Sequence, residues 1–572
     1  MMTRVLDKRK RGVTMNLRPL PIGYEDFKEL IDKGCYYVDK TLIIKDIIDK
    51  RSKVNLFTRP RRFGKTLNMS MIQRYFEKSD EDCSYLFDGL KISQAGEKYQ
   101  EYQGQYPVIS LSFKSMKQGT YENAFWFFKE ILSKEFKRHN RVLDSDMLDI
   151  SEKERFQAIC NEKAEDTIYL GAIQFLSECL KKFYHKNVII LIDEYDVPLE
   201  SAYFHGFYDE MINLIRSAFE SALKTNSSLE FGILTGCLRV SRESVFTGLN
   251  NLKVNSIMSS EYSEYFGFTE SEIRQITENY ELSERLDELK AWYDGYLFGG
   301  TEVYNPWSIL NFVSEASSDH NILIKSYWSN TSSNDIIKEL ITQGSKEVHN
   351  SIERMINGCT ITAPVYEDIT YRNMDVNSDY IWSFLLFAGY LKPIRVYKGE
   401  DSLTYFEGII PNAEVGTIYR TTIRQWFNDK VKKDGTESLL NAVVAGDASV
   451  FEEEVNKWLR KCISYYDSKE SYYHGFLAGL LVGSEEFEVK SNRENGEGRT
   501  DIVVLGYQTR NLAVIIEVKI ADDFGQLGKR CDDALQQIED RQYEQELKED
   551  YYQNILKYGI AFYGKTCKVK KA

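Results

Sequence analysis

The sequence predicts an α/β protein: a doubly wound parallel sheet in the N-terminal half, a helical middle, and a smaller αβββαβ unit at the C-terminal end. Three stretches carry that expectation. Val54, Leu56 and Phe57 form an extended apolar run that passes through a short loop into Gly64-Lys65-Thr66, after which Leu67, Met71, Ile72 and Tyr75 recur at helical spacing. Asn187–Ile192, NVIILI, is almost continuously apolar and β-branched, as a central strand covered on both faces requires. Leu512–Lys519, LAVIIEVK, is a third such run, followed by helix-period text with Ala534, Leu535 and Ile538 and then by a strand at Tyr558–Tyr563. Strands alternating with helices imply helices packed on both faces of a parallel sheet.

Composition bounds the partners. With 572 residues, 42% hydrophobic and 13% aromatic, the chain can bury several cores, and its length suggests roughly three to four domains. A net charge of -14 and a pI near 5.3 argue against a nonspecific basic nucleic-acid coat and against an anionic membrane surface. Any nucleic-acid contact is therefore local. The nine cysteines lack a C-x-x-C pair and the six histidines form no H-E-x-x-H, so neither a structural zinc site nor a disulfide framework is indicated. Dispersed, reduced thiols, no apolar signal region after the basic N-terminus and no uncharged run of spanning length lead to the expectation of a cytoplasmic protein without a membrane partner. Met15 offers an alternative start.

Taken in order, residues 1–18 read as a flexible leader. Residues 19–304 hold the parallel-sheet domain: helical turns around Phe27 and Ile43, the first strand and its loop, an alternating strand at Pro107–Phe113, a helical stretch over 119–185, NVIILI, and a further strand, Leu229–Thr235. Residues 305–445 are aromatic and helix-period, and read as a helical, winged-helix-like linker domain. Residues 446–572 form the C-terminal unit.

The loop ending in Gly-Lys-Thr has the chemistry of a phosphate site. A helix N-terminus presents free N–H groups and a positive dipole end, Gly64 lets the backbone come close, Lys65 offers a point charge and Thr66 a hydroxyl for Mg²⁺. Arg62, Phe63, Gly64, Lys65 and Thr66 are thus the candidate ATP contacts. Arg59 stands where the full G-x-x-x-x-G-K-[ST] pattern has its first glycine. The alternative is a basic turn before a helix. NVIILI, however, ends in Asp193-Glu194-Tyr195-Asp196, and adjacent acids there suit an ATPase: Asp193 to hold Mg²⁺ and Glu194 to polarise the attacking water. An acidic N-cap is the competing explanation. Thr235, at the tip of the next strand, is placed to sense the γ-phosphate, and Arg239 or Arg242 is a candidate finger. Pro21, Gly23 and Tyr24, or the Tyr37–Thr41 segment, border the base on sequence proximity.

In the C-terminal unit, a Gly-rich turn leads into Gly498-Arg499-Thr500-Asp501 and a strand. Strand alternation puts Glu517 and Lys519 on one face, and the sixteen positions from Asp501 to Glu517 allow a hairpin that brings both carboxylates to one edge. Two carboxylates beside a lysine match a metal-dependent phosphodiesterase, with Asp501 and Glu517 on Mg²⁺ and Lys519 orienting water or stabilising developing charge. A Glu-x-Lys ion pair on an amphipathic strand is the structural alternative.

As a set, Pro60-Arg61-Arg62-Phe63-Gly64-Lys65-Thr66, Asp193-Glu194-Tyr195-Asp196, Thr235-Gly236 and Gly267-Phe268-Thr269-Glu270 resemble the AAA-ATPase-like family. Gly498-Arg499-Thr500-Asp501, Glu517-Val518-Lys519 and Gln537 resemble the PD-(D/E)XK nuclease superfamily domain usually fused to it. The resemblance implies a P-loop NTPase domain of AAA/ASCE type, a restriction-endonuclease-like C-terminal domain, and ATP and Mg²⁺ as cofactors. Two functions follow. One is an ATP-binding, ATP-hydrolysing protein whose Mg²⁺-dependent nuclease module acts on DNA or RNA under nucleotide control. The other is a nucleotide-switched scaffold that binds nucleic acid or protein without cutting; homo-oligomerisation stays open. From Phe451 to Ala572 there are 18 Lys and Arg against 22 Asp and Glu, which disfavours tight phosphate-driven DNA binding.

Overall fold

Five strands, β1 (Val54–Thr58), β2 (Val108–Ser112), β3 (Val188–Asp193), β4 (Leu229–Gly236) and β5 (Leu252–Asn255), form one sheet in the order β2-β3-β4-β1-β5, parallel throughout, in the computed structural model. It describes residues 17–239, 246, 250–328, 346–369, 371, 379–422, 437–462, 470–481, 487–495, 498–506, 512–550 and 552–572. Every residue of β1 and β3 is buried; β3 reads accordingly as an apolar run without alternation, whereas β1 also buries the polar Asn55 and Thr58. β4 lies between the loop-bearing strand and the acid-bearing strand. The registers Thr58↔Gly236 and Ser112↔Asp193 bring the C-terminal ends of neighbouring strands to one edge, where open α/β sheets carry their ligands.

Two compact units divide the chain: Met1–Asn334 with Thr360–Thr417, and Asp335–Cys359 with Ile418–Ala572. In the first, the helix Lys65–Phe76 packs on the sheet through Met69, Met71, Ile72, Tyr75 and Phe76. The stretch over 119–185 is helical as expected, with helices Tyr121–Arg138, Ile150–Cys160, Asp166–Leu170 and Ala172–Tyr184. Their starts follow local chemistry: Thr120 caps the first through Asn123 N, and Asp149 with Glu152 forms a capping box on the second. A hairpin, β6 (Tyr296–Phe298) and β7 (Thr301–Val303), precedes the helix Pro306–Ser318.

The middle stretch carries the expected helices, Pro306–Ser318 and Asp379–Phe387 among them, and adds a feature absent from the sequence reading. β8 (Ile361–Pro364), β9 (Lys392–Lys398) and β10 (Thr404–Ile409) make an antiparallel sheet in the order β8-β10-β9. β9 is an edge strand whose Ile394 and Val396 are exposed, so its apolar residues do not mark a buried face and its alternation carries no signal.

The second unit holds β11 (Phe487–Asn495), β12 (Gly498–Gly506), β13 (Leu512–Ile520), β14 (Asn554–Tyr563) and β15 (Thr566–Lys571), hydrogen-bonded in that order. Only β13–β14 is parallel, with the helix Leu527–Asp540 inside the crossover. Alternate side chains serve opposite faces: Ile502 and Val504 join Trp458, Leu459, Leu477 and Leu480, while Val503 and Leu505 join Ile538, Tyr543 and Leu547. A Cβ at Gly559 would lie 2.3 Å from the Cys531 carbonyl oxygen, so glycine there lets the helix sit directly on β14. The order from the helix Glu470–Leu481 to β14 is the expected αβββαβ with a short second helix, Glu544–Glu549, added before β14, and β15 is an added edge strand. Among the described residues, no helix is long and apolar enough to cross a membrane.

Candidate functional sites

At the C-terminal edge of the parallel sheet the chain leaves β1, turns through Arg62 (φ 70°) and Gly64 (φ 81°), and enters the helix at Lys65. Lys65 is 3% exposed, and its ammonium donates to the carbonyls of Arg59 (3.1 Å) and Pro60 (3.2 Å) while facing Glu194 Oε1 at 3.7 Å. Thr66 Oγ1 donates to Asp193 Oδ2 at 2.7 Å, and Thr235 Oγ1 donates to Asp193 Oδ1. One carboxylate thus ties the loop helix, the acid strand and the strand between them. Burial, reinforced by Glu194, pushes the Asp193 carboxyl above its usual range. Glu194 follows with φ 55°, a left-handed conformation uncommon for a residue with a side chain, at the point where β3 ends.

The same edge holds groups that the sequence reading left without a role. Asp196 Oδ2 accepts from the amides of Cys237 (2.7 Å) and Leu238 (3.0 Å), fixing the chain beyond β4; burial, then Glu194, raises its carboxyl to about 6. Arg61 pairs with Glu200. Arg59, at the position of the missing glycine, is fully buried and points away from the loop: Nη1 donates to the carbonyls of Asn255 (2.6 Å) and Thr58 (2.9 Å), between the rings of Phe266 and Phe298 at 5.2 and 5.1 Å. Phe63 is 1% exposed and packs on Tyr296 (4.8 Å) and Phe298 (5.3 Å), so its side chain belongs to the core and only its main chain is left for a ligand. Thr235 is buried behind Asp193. Arg239 is bound to Asp368 at 2.9 Å, and Arg242 lies outside the described residues.

A cavity of about 300 Å³ opens over the loop. Its polar lining includes Arg61, Arg62, Lys65, Thr66 and Glu194, with Lys114 and Lys117 from the segment that follows β2. The other linings are aromatic and apolar: Pro21, Tyr24, Tyr36, Tyr37, Trp307 and Leu310. Gly23 is there too, so both segments expected to border a base, Pro21–Tyr24 and the one starting at Tyr37, share a cavity with the loop.

In the C-terminal unit, the register Ile502↔Ile516 puts Asp501 opposite Glu517 across β12 and β13. Asp501 Oδ2 accepts from Val518 N at 2.8 Å. Glu517 is 1% exposed; its Oε1 accepts from Gln537 Nε2 and from Lys519 Nζ at 3.4 Å. Its Oε2 is buried with no hydrogen-bond partner, an arrangement that calls for a positive ligand. Burial, and next the nearby Asp501, raises the Glu517 carboxyl to about 7. Glu517 Oε2, with Asp501 beside it, fits a divalent cation that takes its other ligands from water and phosphate, as Mg²⁺ does. Among the described residues, no group of three or more His, Cys, Asp or Glu side chains is clustered to cage a metal by itself. His474, which had no part in the sequence reading, has Nε2 2.6 Å from the Asp501 carbonyl oxygen and links the helix Glu470–Leu481 to this edge.

Comparison with known proteins agrees with this geometry. Residues 21–246 match the AAA-ATPase-like family, described as a predicted AAA-ATPase, and residues 468–572 match the PD-(D/E)XK nuclease superfamily. A curated relative, an uncharacterized protein of the vnfD 5′ region from Azotobacter chroococcum mcd 1, is 26% identical over 331 residues. That match covers 58% of this chain and 57% of the relative. The chain thus carries an AAA-ATPase-like domain over residues 21–246 and a PD-(D/E)XK nuclease superfamily domain over residues 468–572.

Proposed function

We propose that the N-terminal unit binds and hydrolyses ATP with Mg²⁺, and that the C-terminal unit is a metal-dependent nuclease acting on DNA or RNA under control of the bound nucleotide. The observation that carries the first half is the Asp193 carboxylate, held at one oxygen by Thr66 and at the other by Thr235 beneath the loop lysine. Thr66 and Asp193 would hold Mg²⁺, which when bound neutralises phosphate charge. Lys65 meets the β/γ phosphates by leaving its contact with Glu194, and Glu194, so released, orients the attacking water. Thr235 aligns Asp193 and works against the burial that raises its carboxyl, since a hydrogen bond to the charged form favours it.

In the C-terminal unit Asp501 and Glu517 would hold the metal, which supplies a Lewis acid and an activated water. Gln537 fixes Glu517, and Lys519 stabilises the charge that develops on the phosphate. The surplus of acids in residues 451–572, 22 against 18 basic residues, favours the second reading, a nucleotide-switched scaffold that binds without cutting. Incubating the full chain with single- and double-stranded DNA and RNA in Mg²⁺ or Mn²⁺, with and without ATP, separates the two. Cleavage lost in Glu517→Ala supports the nuclease; folded, ATP-binding protein that cuts nothing leaves the scaffold.

A further inference from the structure

The segment between β1 and the helix Lys65–Phe76 carries three arginines, and the structure gives each a different fate. Arg59 is sealed in the core and Arg61 is paired with Glu200. Arg62 is exposed and has no carboxylate partner among the described residues; its guanidinium lies 4.3 Å above the ring of Trp307. Trp307 itself is held firmly. Its indole Nε1 donates to the Tyr327 carbonyl at 3.3 Å, its amide donates to the Asn305 cap at 3.0 Å, and it sits in the first turn of the helix Pro306–Ser318. Ile309, Phe312 and Val313 of that helix are buried, whereas Trp307 and Leu310, three residues apart, are half-buried and line the cavity above the loop. Pro21 and Tyr24 line the same cavity, with Leu67 from the loop helix.

We propose that the face of the Trp307 indole now covered by Arg62 is the platform on which the purine base of the nucleotide stacks, with Arg62 exchanging the indole for the phosphates. The proposal rests on the ATP-binding reading of this cavity. A guanidinium over a half-buried ring is held only by a neutral π face, whereas charge-assisted hydrogen bonds to phosphate are stronger and, for arginine, bidentate. A triphosphate reaching the loop therefore draws Arg62 off the ring. The indole is already tied to the Tyr327 carbonyl and packed against the core around Ile309 and Phe312, so a base stacks on it at little further ordering cost. Arginine and purine share a preference for the π face, so one surface serves both in turn. Arg62 and Trp307 line the same cavity as Lys65 and Thr66, so the guanidinium, the ring and the phosphate loop share one space.

Calorimetry of the full chain with ATP and with inorganic tripolyphosphate, both in Mg²⁺, tests this. Trp307→Ala should weaken ATP binding about ten-fold or more, the size of one lost base stack, and leave tripolyphosphate binding unchanged. Trp307→Phe, which keeps a ring, should recover most of the ATP affinity. Arg62→Ala should weaken both ligands. Equal loss of both ligands in Trp307→Ala would show that the indole only props the loop, and an unchanged ATP affinity would show that the base lies elsewhere; either overturns the proposal while leaving ATP binding intact. Unchanged tripolyphosphate binding in Arg62→Ala overturns the exchange. Wild-type protein that binds neither ligand overturns the ATP reading itself, and this inference with it.

Discussion

Glu517→Gln should make the metal-free C-terminal unit more stable at alkaline pH, and by an amount the structure sets. The carboxyl is 1% exposed and one of its oxygens has no partner. Burial and the neighbouring Asp501 raise it from the usual 4.5 to about 7. A carboxyl whose folded value lies above its unfolded value binds its proton more tightly when folded. Its contribution is therefore undiminished below about pH 4.5, falls as pH rises through the window from there to about 7, and stays low above it. At about 1.4 kcal/mol for each pH unit, the loss amounts to about 3 kcal/mol by pH 8. Glutamine keeps the oxygen that Gln537 and Lys519 bond and removes the charge. In EDTA, hydrogen exchange of peptides spanning β13, corrected for intrinsic rates, should show the variant and wild type alike near pH 4.5 and the variant better protected at pH 8. Adding Mg²⁺ at pH 8 should raise protection in the wild type and leave the variant unmoved, because a cation compensates the buried charge of the ionised Glu517 and binds only the native state. A variant less protected than wild type at pH 8 in EDTA, or a difference that does not change with pH, would refute the reasoning.

Three further expectations concern the two sites. Lys65→Ala should reduce ATP affinity at least about a hundred-fold in calorimetry, since charge-assisted phosphate contacts contribute about 1.5–3 kcal/mol each and no other ammonium lies inside the loop. Glu194→Gln should bind ATP as the wild type does and hydrolyse it at least about a hundred-fold more slowly, measured by phosphate release; a wild-type rate would reduce Glu194 to the residue that ends β3. Lys519→Ala should spare metal binding and lower cleavage, read as kcat falling with little change in KM, because its ammonium faces Glu517 from 3.4 Å without contributing a ligand oxygen.

How much of this was legible depends on whether a residue's partner lies on its own strand. β3 could be read because a strand buried on both faces is almost wholly apolar, with the acids Asp193 and Glu194 ending the run, and β1 because Val54, Leu56 and Phe57 lead directly into Gly64-Lys65-Thr66. Glu517 and Lys519 could be placed on one face from the two-residue period alone, and Asp501 followed from the hairpin. β15 could not be read, since TCKVKK buries only Cys567 and Val569 and is otherwise lysine-rich and polar. The sheet of β8, β9 and β10 was missed because β9 exposes apolar side chains. Phe63, an aromatic residue in a phosphate loop, looks like a ligand contact in sequence. Its partners Tyr296 and Phe298 lie more than two hundred residues away, and nothing local announces them.

Arg59 shows where a sequence signature merges two separate demands. A glycine in a phosphate loop serves either a backbone conformation closed to other residues or a close approach of main chain to ligand. In this loop the positive φ angles fall on Arg62 and Gly64, and Arg59 has an ordinary backbone. Glycine is therefore not required at position 59 for conformation. Space is met by the direction of the side chain, which runs into the core beneath the sheet edge rather than toward the cavity. Burial lowers the guanidinium to about 9, which leaves it charged at neutral pH, and its bonds are to the carbonyls of Thr58, Asn255 and Tyr262 rather than to a carboxylate. Two consequences follow. The arginine joins the end of β1 to the end of β5 and to the Tyr262 segment, so the start of the loop is braced by a side chain. And an uncompensated positive charge, sunk in a low-dielectric core behind the loop, adds to the field of the helix N-terminus and Lys65 at the place where phosphates would bind. The departure from the glycine pattern is in this sense a different way of building the same electrostatic site.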